Sequence, residues 1–396
     1  MARTGKNICK DCGHSNLNHI NTWLEQLGNH FFPPIKLPAK INSSLDVLLE
    51  QIFRLTGIGQ FRSDFTSSDI QLRSTCFIDE MQKRGAVFYS LRSSFGFTNH
   101  FKMEISGKTF RFETLPVADF IGKFSSRLTE DKELTKRHAR KGGFPVAEGR
   151  AFWIWQRKKA VRFAREIGFP VVVKPRAGSV ARHVTTNIQN EAQLQKAIKH
   201  ALVYSPAFIV EKFIPNAFVH RATVIDFDFV ACVRQVPANV VGDGGSTIRQ
   251  LIDKKNRNRG RPDQKQFTLY KIVEDGTAQE LISEQRYGFD SIPPKEEIVY
   301  LQKDPFLRLG GDLEELTSQV HPDNLKLFKD ITRFFDTRLT GIDFLAEDIS
   351  VSWKSQPCAI LELNSVPCIE LHHFPSSGVP TNPAKALADM FAKYYL

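Results

Sequence analysis

Two lysines and three oxygen-bearing side chains are placed along this chain as a site for an anion and a divalent cation would place them. Lys132 lies in "EDKELTK", and Lys174 ends the β-branched run "VVVK". A buried triphosphate needs several fixed cations, and a lysine at a strand end supplies a point charge at a set position. Asp343 in "TGIDFL" and the pair Glu362 and Asn364 in "AILELNSVP" fall on two strand-like runs. Residues i and i+2 of a strand share a face, so Glu362 and Asn364 point the same way, and a hairpin would set Asp343 beside them. Three oxygen ligands on one face suit Mg²⁺, which takes carboxylates, phosphates and water, with Mn²⁺ as the other candidate ion. Taken singly, the lysines are as well read as structural and the acids as a polar strand face bordering solvent.

Between the two strands after Lys174 runs "PRAGSVARH". A loop that lies against phosphates normally uses several glycines, because a Cβ keeps backbone N–H groups at a distance. Here Gly178 and Ser179 are the natural point of approach, while Ala181 and His183 occupy places where further glycines are wanted. "IVEKFI", Ile209 to Ile214, reads as a strand entering an extended connector. Its backbone could address an adenine edge while Lys212 points toward base or phosphate, although read alone it is simply a strand end.

These residues need elements to hold them. "QRKKAVRFAREIG" sets Ala160, Val161, Ala164 and Ile167 on one helical face and ends at Gly168. "PVVVK", the loop, a second strand, the amphipathic helix "NEAQLQKAIKHAL" and the strand "AFIVEKFI" follow, giving an α/β unit whose glycine loop joins paired strands. Upstream, "LDVLLEQIFRLTG" (Leu45 to Gly57) and "SSDIQLRSTCFIDEMQKRG" read as helices, "AVFYSL" as a strand and "FKMEISGKTFRFETL" as a hairpin turning at Ser106-Gly107. Pro33 and Pro34 mark a loop ahead of the first long helix.

The chain has 396 residues, room for two or three domains, with 41% hydrophobic and 24% charged residues, the balance of a soluble globular protein. No run approaches the ~20 apolar residues of a membrane span, and the N-terminus lacks a signal-peptide core, so a cytoplasmic location is expected. The net charge of +11 is concentrated: between Ile121 and His183 there are 16 Lys and Arg against 5 Asp and Glu. "KKNRNRGRPDQK", Lys254 to Lys265, is a second cluster. Such charge is either a solvated basic face or a field for a polyphosphate, an acidic peptide or RNA.

From about Thr129 to Leu396 the sequence resembles ATP-grasp ligases, and among them the ATP-grasp portion of cyanophycin synthetase. The resemblance rests on "DKELTK", "GFPVVVKP", "FIVEKFI", "RQVPANVVGDGGSTIRQLIDKKN", "LGGDLEELTSQVHPDN", "GIDFLAEDI", "ILELNSVP" and "HHFPSSGVPTNPA". The run through Gly242-Asp243-Gly244 and Ser246-Thr247-Ile248 is its most specific part. The resemblance implies an α+β ATP-grasp fold with an N-terminal mixed α/β domain over 1–120, including a tail over 1–40. A small lid domain with its lead-in spans 121–215, and a C-terminal domain with an antiparallel sheet spans 216–396. ATP would lie between lid and C-terminal domain. Lys132, Lys174, Gly178 and Ser179 would bind its phosphates, Glu211, Lys212, Phe213 and Ile214 its adenine, and Asp343, Glu362 and Asn364 its Mg²⁺. Arg234 and Arg308 would clamp the transferred phosphoryl group, unless they are surface or ion-pair arginines. The implied activity is an ATP-dependent carboxylate–amine ligase making an amide or peptide bond from amino acids or peptides through an acylphosphate. A homo-oligomer is implied, with no membrane partner, and nucleic acid is the less favoured partner.

The chain departs from that family pattern at several points. Beyond Ala181 and His183, "PNAFVHR" offers Phe218 or a neighbour where a ribose-binding acid is expected. Cys368 follows Pro367 in place of a glycine, and Glu370 and Thr381 stand where cyanophycin synthetase has basic residues. The alternative function is therefore a nucleotide-binding ATP-grasp pseudoenzyme with a regulatory or scaffolding role. His372 and His373 read either as lining an acceptor pocket or as surface loop histidines. "CKDCGH", near His14, His19 and His30, is either half of a small zinc site or a reduced tail.

Overall fold

The computed structural model describes Cys9 and residues 16–31, 59–117, 132–176, 183–260 and 267–396. The expected helix at Leu45 to Gly57, the Pro33-Pro34 loop, Gly178, Ser179, Ala181 and part of the Lys254–Lys265 cluster lie outside them. The chain forms two compact units, each assembled from separate stretches of sequence.

The first unit comprises Met1–Asn42, Ser125–Ala217 and Pro357–Leu363. Its sheet has strands β5 (Gly149–Trp153), β6 (Val171–Pro175), β7 (Thr185–Ile188) and β8 (Ala207–Lys212) in the order β5-β8-β6-β7, every neighbour antiparallel. Helices α4 (Arg157–Ile167) and α5 (Glu191–Tyr204) share one apolar core with the sheet, through Ala160, Ala164, Leu194 and Ile198 against Val173 and Phe208. The i, i+3, i+4 spacing of Leu194, Ala197 and Ile198 makes one face of α5 apolar. Asn190 caps it by accepting the Gln193 N–H at 3.0 Å. Helix α1 (Asn16–Phe31) is tied to α5 by the Trp23 indole, which donates to the Leu202 carbonyl at 3.1 Å. Helix α3 (Lys132–Lys141) completes the unit. The β6–loop–β7 pairing is the arrangement read from the sequence.

The second unit holds Ser43–Phe124, Phe218–Gln356 and Asn364–Leu396. Its larger sheet runs β13 (Asp312–Glu315), β10 (Phe229–Val236), β9 (Phe218–Ile225), β14 (Leu339–Ala346), β15 (Cys358–Asn364) in that spatial order. The last strand straddles the boundary between the units. Helix α8 (Pro322–Phe334) contributes Phe328, which packs on Phe344. A second sheet, β1 (Gly59–Arg62), β2 (Val87–Ser93), β3 (Gly96–Ile105) and β4 (Lys108–Glu113), is antiparallel in sequence order. The β3–β4 turn falls at Ser106 and Gly107, with φ of 51° and 73°, as a tight hairpin requires. Helices α2 (Leu72–Gln82) and α10 (Pro383–Tyr395) cover it, burying Phe77, Met81 and Phe391.

The specific "GDGGST" run builds a turn and a helix start. It follows β11 (Asn239–Val241), which pairs with β12 (Ile298–Tyr300), and leads into α6 (Ile248–Asn256); α7 (Gly276–Glu284) packs on the same small core. Asp243 Oδ1 accepts the Gly245 and Ser246 N–H groups at 3.1 and 2.7 Å, and Thr247 with Gln250 forms a capping box. A Cβ on Gly242 would stand 1.9 Å from the Pro294 carbonyl oxygen.

Candidate functional site

The first unit contains a charged triad that no single motif announces. Strand β8 lies between β5 and β6, and Glu211 near its end is opposite Val172 on one side and Gly149 on the other. Its carboxylate is buried and takes Lys174 Nζ at 2.5 Å on Oε1 and Lys136 Nζ on Oε2. Gly149 makes room for this side chain, since a Cβ there would sit 2.6 Å from Glu211 Cβ. Lys132 and Lys136 are i and i+4 on α3 and share a face. Lys132 Nζ lies 3.3 Å from Glu362 Oε2, so the unit gathers three lysines and two glutamates.

The electrostatics of the triad are lopsided. Burial opposes ionisation of Glu211, but the two ammonium groups outweigh it and hold the carboxyl at about 2. Burial also presses on Lys174, where the attraction of Glu211 wins and raises it. For Lys136 burial, reinforced by the Lys174 charge, prevails over Glu211 and brings the ammonium down to about 7. When both lysines are charged, the single buried carboxylate leaves one positive charge uncompensated, and an anion alongside would favour that state. Lys136 was not singled out from the sequence. Its signal was the four-residue spacing from Lys132.

Lys212 departs from its expected role. Its ammonium donates to the carbonyls of Ile167, Gly168 and Phe169 at 3.2, 2.9 and 3.3 Å, closing the C-terminal end of α4. Successive strand residues face opposite sides, so a side chain following Glu211 cannot share its site. Phe213 donates its N–H to the Pro170 carbonyl at 3.1 Å, and Ile214 follows half-buried.

In the second unit Asp343 on β14 is in register with Arg221 on β9. The guanidinium grips the carboxylate from two nitrogens, Nη2 at 2.9 Å from Oδ2 and Nε on Oδ1. Asn364 closes β15, two residues after Glu362 on the same strand face. Arg234 on β10 pairs with Glu314 across the sheet, Nε to Oε2 at 2.6 Å, and lies over the Phe218 ring at 4.8 Å. Arg308 is exposed and stands 5.9 Å over the Tyr270 ring. Arg221 was missed because a lone arginine in "FVHRATVI" carries no pattern of its own. Arg73 reaches Glu370 at 3.3 Å and Cys368 Sγ at 3.0 Å, while burial pushes the Glu370 carboxyl up. His372, on α9 (Glu370–His373), is no surface loop residue. It is fully buried between Thr223 Oγ1 at 2.8 Å and Glu315 Oε2 at 3.2 Å.

The family model described as "Carbamoyl-phosphate synthase L chain, ATP binding domain" matches residues 131–250, the stretch that carries Lys132, Lys136, Lys174 and Glu211. A bifunctional glutathione synthetase from Pasteurella multocida superposes with a TM-score of 0.64 at 23% identity, over 82% of this chain and 45% of that one. The chain has the ATP-grasp fold. In sequence, the chain is similar to cyanophycin synthetases. That of Trichormus variabilis is 31% identical over 79% of this chain and 34% of its own length, and that of Synechocystis sp. 34% identical over 68% and 31%. The glutathione biosynthesis bifunctional protein GshAB of Mannheimia succiniciproducens is 28% identical over 64% and 34%. The chain thus spans about a third of the length of these curated relatives. No helix among the described residues is long and apolar enough to cross a membrane.

Proposed function

We propose that the chain is an ATP- and Mg²⁺-dependent carboxylate–amine ligase, ADP-forming, acting on amino acids or peptides. The observation that carries this reading is the Lys136–Glu211–Lys174 triad, a buried site with surplus positive charge inside the stretch that matches an ATP binding domain. Lys132, Lys174 and Lys136 would neutralise the phosphates, with Gly178 and Ser179 approaching by backbone. Glu211 to Ile214 would meet the adenine, although the ammonium of Lys212 serves α4 instead. The donor set Asp343, Glu362 and Asn364 is all oxygen, which fits Mg²⁺. Both carboxylates are presently ion-paired, to Arg221 and Lys132. When bound, the ion would neutralise charge on the phosphoryl oxygens.

In the reaction a substrate carboxylate oxygen attacks the γ-phosphorus, the bond to the β–γ bridging oxygen breaks, and ADP leaves. The substrate amine then attacks the acyl carbon, the carbon–oxygen bond to phosphate breaks, and the amine gives up its proton as the amide forms. Such transfer depends on positioning and charge neutralisation, not on a protein nucleophile. Arg234 and Arg308 would clamp the moving phosphoryl group. Purified chain with ATP and Mg²⁺, screened over amino-acid and dipeptide pairs, should release ADP and yield a product heavier by one condensed residue in mass spectrometry. No ADP with any pair would remove the reading.

A second reading, a nucleotide-binding pseudoenzyme, is favoured by one observation. Phe218, where an acid for the ribose is expected, is packed beneath Arg234. It predicts that ATP raises the melting temperature with no turnover.

A further inference from the structure

Cys9, His19 and His183 bring one sulfur and two imidazoles together in the first unit, with ligand atoms all within 4.8 Å of one another. Cys9 Sγ lies 3.5 Å from His183 Nε2. A tetrahedral zinc with Zn–S of about 2.3 Å and Zn–N of about 2.0–2.1 Å sets its sulfur and nitrogen about 3.6 Å apart. The observed separation already fits that edge. Both imidazoles are buried, at 5% and 3% exposure, and Tyr204 flanks each ring at 5.5 Å. His19 and His183 stand at 84° to one another, centroids 5.3 Å apart, edge-on and not stacked.

The backbone adds an independent observation. His183 has φ of 54°, the left-handed region, where glycine is the usual occupant. Such a conformation persists on a non-glycine residue only when its surroundings hold it. A histidine placed there points its ring at a cysteine from the far N-terminal stretch, 174 positions away in sequence.

We propose that Cys9, His19 and His183 are ligands of a structural Zn²⁺ that fastens the N-terminal stretch and α1 to the residue entering β7. A thiolate–imidazole site of this kind adds its binding energy to folding. The ion therefore belongs with the architecture, and the inference stands apart from the ligase reading.

The test is metal analysis of the full chain, expressed without a histidine tag and passed through gel filtration. About one zinc per chain is expected. Cys9→Ser and His183→Gln should each lose it, whereas His200→Ala, whose ring packs 4.7 Å from His183 but lies outside the ligand set, should keep it. As a measurement that does not depend on variants folding, chelator-treated wild-type chain titrated with Co²⁺ should develop a thiolate-to-metal charge-transfer band saturating at one equivalent. Wild-type chain that is zinc-free and gives no such band would overturn the site. So would Cys9→Ser and His183→Gln chains that retain full zinc. None of these readouts involves nucleotide, so failure here leaves the ligase proposal untouched.

Discussion

Lys174 on β6 and Glu211 on β8 are joined at 2.5 Å across two adjacent antiparallel strands, and the carboxylate's other oxygen is held by Lys136. The contact is fully interior to its unit. Glu211 is thus both a strand residue and the counter-charge that makes two buried ammonium groups tolerable. This dual role leads to the expectations below.

Strong acid should weaken this site. The Glu211 carboxyl is held at about 2, below its ordinary 4.5, so its contribution is fully present above the ordinary value and is lost as pH falls toward 2. Glu211→Gln removes that contribution and leaves two ammonium groups beside a neutral amide. A loss of about 3–5 kcal/mol is expected at neutral pH from urea unfolding. The variant's stability should also change less than wild type's over the acid range, and equal acid sensitivity would count against the assignment.

Nucleotide binding should take up a proton. With Lys136 near 7, part of its population is neutral at physiological pH, and a phosphate brought alongside favours the charged form. Calorimetric titration with ATP in buffers of different ionisation enthalpy at pH 7.5, roughly one half-unit above that value, should show net uptake. Lys136→Met should abolish it. Proton release, or uptake unchanged in the variant, would disconnect Lys136 from the phosphate.

The Gly149 position should tolerate no side chain. A Cβ there meets Glu211 Cβ at 2.6 Å and the Val210 carbonyl oxygen at 3.0 Å. Gly149→Ala is expected to cost about 1–3 kcal/mol of overpacking and to lower the melting temperature. Because it displaces Glu211, it should also weaken ATP binding. A variant as stable as wild type would mean that β5 shifts freely.

Asp343→Asn keeps the shape of the side chain but removes charge from the proposed metal set and from the Arg221 pair. ADP release should need at least about tenfold more Mg²⁺ for half-maximal rate, that being the loss expected when a ligand set is weakened. Circular dichroism should be unchanged. An unaltered Mg²⁺ dependence would confine Asp343 to its ion pair with Arg221.

Much of the fold was legible because its signals are local. The glycines after α2 and α4, the hairpin at Ser106-Gly107 and the cap at Asn190 each act within a few residues, and the elements form where those signals fall. Lys174 was expected at a strand end and Glu362 on a strand-like run, and they lie on β6 and β15. Lys136 and Arg221 were not singled out. Their partners are brought to them by the fold, 75 and 122 positions distant. Strand alternation turns the Lys212 side chain away from Glu211, and its ammonium meets the carbonyls at the end of α4. The "GDGGST" run has a local structural basis: Gly242 has no room for a Cβ, and a capping box follows.

The discontinuity of the first unit has a bearing on synthesis. A ribosome delivers Lys132, Lys136, Lys174 and Glu211 well before Pro357–Leu363, the stretch that brings Glu362 to Lys132. The four-stranded sheet of that unit is available from residues 149–212 and can form while the chain is still being made. Lys132 must wait until Glu362 has been made to meet its partner. Nascent chains stalled before residue 357 should therefore carry the buried Lys136–Glu211–Lys174 triad yet lack the Lys132–Glu362 pair.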